Sequence, residues 1–203
     1  MTLWEFATGT AEATQQLAGK LAELLRAGDL IILSGELGAG KTTFTQGLGR
    51  SLGVREGIIS PTFVLVRIHP NLPDGSNPGG PDLVHVDAYR LATPGEIDDI
   101  DLENTMDSSV TVVEWGVDRV EHLAASRLEI ELVRAVGGAS PVAAPTEAAG
   151  DFAGSDVEDS DFSASFDADE DDDEPRTLRL VAVGPRWAET DFSLLGQRVN
   201  TTE

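Results

Sequence analysis

Residues 29–42 read Asp29-Leu-Ile-Ile-Leu33-Ser-Gly35-Glu-Leu-Gly38-Ala39-Gly40-Lys41-Thr42, and this stretch decides the fold. Its first half is a short, continuous apolar run, the pattern of a parallel strand buried on both faces. Its second half fits G-x-x-x-x-G-K-[ST] at every fixed position. Glycines let the backbone wrap closely around phosphate oxygens. Gly38, Ala39, Gly40 and Lys41 are expected to turn N–H groups inward as an anion nest. The following helix adds its positive dipole end. The Lys41 ammonium is expected to bridge β- and γ-phosphates, and the Thr42 hydroxyl to ligate Mg²⁺. The bland alternative is a glycine-rich turn with a chance lysine. It is weak, because the chain has only two lysines, Lys20 and Lys41, and one falls between a strand and a helix.

Outward from this loop, helices and strands alternate. Leu17, Leu21, Leu24 and Leu25 share a helical face, with Gly28 placed as a C-cap. Phe44, Leu48 and Leu52 recur at i, i+4, i+8 after Lys41, and Gly53 closes that helix. Thr62–Ile68 and Leu83–Asp87 read as strands around a Pro- and Gly-rich connection over 70–82. Thr93-Pro94-Gly95-Glu96 forms a capping box with Pro at the first helical position. Val110–Glu114 is another apolar strand, and Val117, Val120 and Leu123 suggest a short helix behind it. Arg127–Val133 and Thr177–Val183 alternate like half-buried strands, paired antiparallel. The expectation is a three-layer α/β/α P-loop NTPase fold, mostly parallel with an added antiparallel pair.

Between that pair lies residues 135–175, built from Ala, Gly, Ser, Pro, Asp and a few lone Phe. From Glu147 to Glu174 there are 13 acidic residues and no basic one. Such a segment has too little apolar material to offset its ordering entropy, so a disordered acidic insertion is expected. Residues 1–134 and 176–203 then form one P-loop domain. The competing picture, a linker between two domains, leaves too few residues after Pro175 for a second domain.

Composition excludes several classes. The 203 residues suit one α/β domain with decorations. Without cysteine there is no disulfide, zinc ribbon or thiol catalysis. With 36 acidic against 14 basic residues, the net charge is −22. Such a chain is a poor direct ligand for nucleic acid or an anionic membrane. No apolar run approaches the ~20 residues that span a bilayer. Met1–Thr10 does not read as a targeting peptide. A soluble cytoplasmic protein is expected.

Two acids compete for the metal and water roles. Leu83–Asp87 and Val110–Glu114 each end in a carboxylate, and sites in open α/β sheets lie at strand carboxyl ends. One would hold Mg²⁺ and the other could orient water. Thr62, in Ser60-Pro61-Thr62-Phe63, could sense a γ-phosphate as switch segments do. The competing reading there is a Pro turn entering a strand.

Four motifs in order, Gly-Glu-Leu-Gly-Ala-Gly-Lys-Thr-Thr (35–43), Ser-Pro-Thr-Phe (60–63), His-Val-Asp-Ala-Tyr-Arg-Leu (85–91) and Val-Glu-Trp (113–115), resemble TsaE. TsaE is a family of ATPases of bacterial tRNA threonylcarbamoyladenosine biosynthesis. The resemblance covers about residues 10–134 and 176–187. It implies a Mg-ATP site with Glu114 as acidic magnesium ligand beside Thr42, Asp87 in catalysis or supporting the ligands, and Thr62 as switch threonine. Lys41 completes the catalytic set. The implied nucleotide contacts are Thr10, Glu36, Gly38, Ala39, Gly40, Lys41, Thr42, Thr43 and Trp115, with the base near Thr10. The family pattern has Pro or a small polar residue after Glu-Trp; here it is Gly116. The implied partners are TsaB and TsaD, with tRNA met only indirectly.

Other classes fit less well. A GTPase needs [NT]-K-x-D, which neither lysine supplies. A small-molecule kinase needs an arginine clamp and lid. A nucleotide-dependent switch with little turnover shares the same motifs.

Overall fold

The computed structural model describes residues 2–91, 93–134 and 175–196; the expected insertion falls almost wholly outside them. Among the described residues seven strands form one sheet: β1 (Thr2–Thr8), β2 (Leu30–Ser34), β3 (Val66–His69), β4 (Asp82–Asp87), β5 (Ser109–Glu114), β6 (Arg127–Arg134) and β7 (Arg176–Val183). Their order is β1-β7-β6-β2-β5-β4-β3. The central strands β6, β2, β5 and β4 run parallel. Both edges are antiparallel: β7 and β1 on one side, β3 on the other.

The apolar run of β2 explains the layering. Ile31 and Leu33 pack toward α1 (Ala11–Ala22) and α2 (Lys41–Leu52), with Phe44, Leu48 and Leu21 fully buried among them. Leu30 and Ile32 point the other way. They meet Val84, Val86, Ile97 and Met106 beneath two short helices, α3 (Pro94–Asp98) and α4 (Glu103–Met106). A strand covered on both faces has no polar row, so it reads as continuous. The α1–α2 crossing is close because Gly47 carries no side chain. A Cβ there would lie 2.4 Å from Gln15 O.

Several expectations hold. The α2 helix ends at Gly53, which is left-handed at φ 76° and returns its N–H to Arg50 and Gly49. The Thr93–Glu96 capping box forms in both directions. The paired strands 127–134 and 176–183 are antiparallel.

Others shift. Gly28 is not a C-cap: α1 stops at Ala22, and Gly28 N–H instead donates to Ser109 O. The strand expected over 62–68 starts only at Val66, because residues 62–64 form a turn and Leu65 is left-handed at φ 65°. Behind β5 there is only one 3-10 turn, Glu121–Leu123, since Asp118 is also left-handed. The antiparallel portion exceeds a pair, because Thr2–Thr8 adds an edge strand. Trp4 and Phe6 on that strand join Trp187 and Phe192 in an aromatic cluster. No helix among the described residues is long and apolar enough to cross a membrane.

Candidate active site

The site lies where β2, β5 and β4 end together. Register sets Leu33 beside Glu114 and Glu114 beside Asp87, so both carboxylates stand at one level next to the P-loop. Both are buried, at 3% exposure each. Leu37, Gly38, Gly40, Lys41, Thr42, Thr43, Ser60, Thr62, Asp87, Glu114 and Trp115 line a cleft of about 330 Å³. The P-loop turns on Gly38 and Gly40, at φ 77° and 97°, a region open to glycine at little steric cost.

Lys41 departs from expectation. A P-loop lysine awaiting phosphate is expected to face solvent, yet Lys41 is buried. Its Nζ donates to Gly35 O and Glu36 O, each at 2.9 Å, and rests 4.0 Å from the Trp115 ring centroid. The carbonyls and the indole face replace lost water. Burial lowers the Lys41 pKa below its ordinary value, while Glu114 and Asp87 pull it back up. Ala39 also differs. Its N–H is engaged by Glu36 O at 3.1 Å and the residue is buried in the core, away from the cleft lining.

The acids are held differently. Glu114 Oε1 accepts from Thr42 Oγ1 at 3.1 Å and contacts His85 Nε2 at 2.8 Å. Asp87 Oδ2 accepts from Thr62 Oγ1 at 2.5 Å and from Ser60 Oγ at 3.4 Å; its Oδ1 accepts from Tyr89 N. A hydroxyl and a carboxylate in contact make a hard-oxygen pair that suits Mg²⁺, which takes one or two protein carboxylates and fills its shell with phosphates and water. Thr42 and Glu114 therefore fit the ion.

Trp115 is left-handed at φ 62°, a conformation uncommon outside glycine. Arg119 braces it: one guanidinium nitrogen donates to Trp115 O at 3.1 Å and to Ala88 O at 2.6 Å, tying the ends of β5 and β4 together. Tyr89 meets the Trp115 ring edge-on, with centroids 5.5 Å apart. Gly116 leaves room here, since a Cβ would lie 2.9 Å from Val113 and Val120 methyls.

Thr43 lines the cleft, and Glu36 lines an adjoining one. Thr10 is absent from both linings. Its hydroxyl caps α1 by accepting from Ala13 N. Sequence reasoning assigned no role to His85, Ser60 or Arg119. His85 and Ser60 were legible in principle. His85 precedes Asp87 by two on a strand and so shares its face. Arg119 carried no such signal.

Residues 8–138 match the sequence model of the family described as "Threonylcarbamoyl adenosine biosynthesis protein TsaE". The chain belongs to the TsaE family. It is similar to the tRNA threonylcarbamoyladenosine biosynthesis protein TsaE of Streptomyces coelicolor, with 44% identity covering 89% of this chain and 98% of that protein. It is 36% identical to the Bacillus subtilis TsaE, covering 63% of this chain and 76% of the relative. Among solved structures, that of Bacillus subtilis YdiB superposes with a TM-score of 0.56 at 27% identity, covering 90% of this chain and 87% of that one. Membership supports the α/β P-loop-like fold and a place in threonylcarbamoyladenosine biosynthesis. All four motifs that carried the resemblance fall inside the matched TsaE range.

Proposed function

We propose that this chain is a Mg-dependent ATP-binding and ATP-hydrolysing protein that serves threonylcarbamoyl transfer to tRNA adenosine, working with TsaB and TsaD in the cytoplasm. One observation carries the reading: Lys41, Thr42, Glu114, Asp87 and Thr62 converge on a single cleft at the strand ends. On this reading the P-loop amides and Lys41 take the β- and γ-phosphates, the ammonium exchanging its loop carbonyls for phosphate oxygens. Thr42 and Glu114 would hold Mg²⁺, which supplies charge neutralisation on the phosphates. Asp87 orients the attacking water, and Thr62 couples Asp87 to the loop over 60–65. Trp115 flanks the nucleotide. The strongly acidic chain would then meet tRNA only through its partners.

A second reading is a nucleotide switch with little turnover. It is favoured by Phe63, which stands 90% exposed beside Thr62, where a partner would sense it. Phosphate release measured for the chain alone, with TsaB–TsaD, and with small acceptor molecules separates the readings. Hydrolysis that rises with TsaB–TsaD is expected. Phosphate transfer to an acceptor would make the protein a kinase, and ATP binding without release in any mixture would leave the switch.

A further inference from the structure

His85 lies in β4 at 0% exposure. It stands opposite Val112 of β5, two residues before the Asp87–Glu114 pair. Its Nε2 lies 2.8 Å from Glu114 Oε1, the oxygen that also accepts from Thr42. Its Nδ1 is buried and has no hydrogen-bond partner among the described residues. A carboxylate only accepts, so this hydrogen bond needs the proton on Nε2. An unpaired buried nitrogen is unfavourable, and a leucine would fill this apolar row without that penalty. What the imidazole adds is a second donor to Glu114 Oε1, beside the Thr42 hydroxyl. The last torsion of a glutamate side chain is broad, so the carboxylate's orientation is set by its partners.

We propose that His85 is a positioning residue for the metal carboxylate. Its Nε2–H pins Glu114 Oε1 and so fixes the carboxylate beside the Thr42 hydroxyl, the two groups that would hold Mg²⁺. The inference rests on the Mg-ATP reading above. Hydrogen bonds of this kind behind a metal ligand change metal affinity by roughly 10–100-fold.

The test uses the full chain, with ATP binding followed calorimetrically over a Mg²⁺ titration and again in EDTA. His85→Leu, shown folded by thermal unfolding, is expected to need roughly 10–100-fold more Mg²⁺ for half-saturation. Its affinity for ATP in EDTA should stay that of the wild type, which a general packing defect would not leave untouched. His85→Gln should recover most of the loss, since its amide N–H reaches the same oxygen. An unchanged Mg²⁺ requirement in folded His85→Leu overturns the proposal while leaving the Mg-ATP reading intact. A wild type whose ATP binding ignores Mg²⁺ overturns both. Should His85→Leu fail to fold, nitrogen-15 shifts of the wild-type histidines decide. An Nε2–H tautomer at His85 supports the assignment, and an Nδ1–H tautomer ends it.

Discussion

Glu114 and Asp87 face each other in register at the ends of β5 and β4, yet they are held in opposite ways. Glu114 is gripped by regular structure: Thr42 from the first turn of α2 and His85 from inside β4. Asp87 is gripped by an irregular segment, through Thr62 and Ser60, whose neighbours Phe63 and Val64 are exposed. One half of the site is therefore set when the sheet folds. The other half depends on a loop with little apolar burial of its own, the kind of segment that opens locally at low cost. On the Mg-ATP reading proposed above, this division would give a metal site that is ready and a water site that can respond to nucleotide or partner.

The largest effect should come from Lys41, which serves both halves. Lys41→Ala removes the cation that the phosphates need. Charge-assisted hydrogen bonds contribute about 1.5–3 kcal/mol each. ATP affinity should therefore fall by roughly two to three orders of magnitude, read by calorimetry. The residue is buried over Trp115, so a modest drop in Tm is expected too. Hydrolysis at the wild-type rate by a folded variant would sink the P-loop assignment.

The acids themselves separate the halves. Glu114→Gln should raise the Mg²⁺ requirement, and Asp87→Asn should bind Mg-ATP normally but turn over slowly. Each loss should be on the order of a hundredfold, since the ion contributes several kcal/mol of charge stabilisation. A magnesium titration with the pattern reversed would exchange the two roles.

Acid should act on the responsive side. His69 ends β3, the strand that the 60–65 segment feeds, and burial, aided by His85, Arg67 and Arg55, lowers its pKa from 6.5 to about 4. A base whose folded pKa lies below its unfolded one takes up its proton on unfolding. Stability is thus full above pH 6.5 and falls as pH drops toward 4. By pH 5 the loss is about 2 kcal/mol. Denaturant melts at pH 7 and 5 would read it, and His69→Leu should flatten the difference. An equal pH slope in that variant would place the acid sensitivity elsewhere.

The preset half was the more legible one. A buried strand running into a glycine-rich loop and helix declares itself through β2, Gly35–Gly40 and α2, because each residue type there has one backbone task. Strand ends at Asp87 and Glu114 were readable for the same reason. The side-chain hydrogen bonds that distinguish the acids were not, since they join residues 25 to 72 positions apart. Left-handed Leu65 and Trp115 were equally hidden. Neither residue type signals a positive φ, and at Trp115 the backbone is held from elsewhere in the fold, its N–H by Leu33 O and its carbonyl by the Arg119 side chain that also reaches Ala88 O. The edge strand Thr2–Thr8 was missed because it pairs with β7, far along the chain.

The smallest effect is expected behind the P-loop, where the acidic segment leaves the sheet. β6 and β7 stay in register up to Arg134 opposite Arg176. Arg134 packs within 3.3 Å of the Cβ position of Gly38, and Arg176 within 3.3 Å of that of Gly40. The strands thus support the loop with the last residue of β6 and the first of β7, and need only a short connection between them. Residues 135–175 can then be replaced by a Gly-containing turn of about four residues, keeping both arginines. Loop closure costs grow slowly with length, so the shorter chain should gain up to about 2 kcal/mol of stability. ATP affinity and the Mg²⁺ requirement should match the full chain. Association with TsaB–TsaD is the sensitive readout. If the 13 carboxylates between Glu147 and Glu174 steer a basic partner surface, the deletion slows association at low salt and not at high salt. Equal rates at both salts reduce the segment to a spacer. Loss of ATP binding on deletion would mean that the segment itself supports the P-loop, and the division between preset and responsive halves would need a third part.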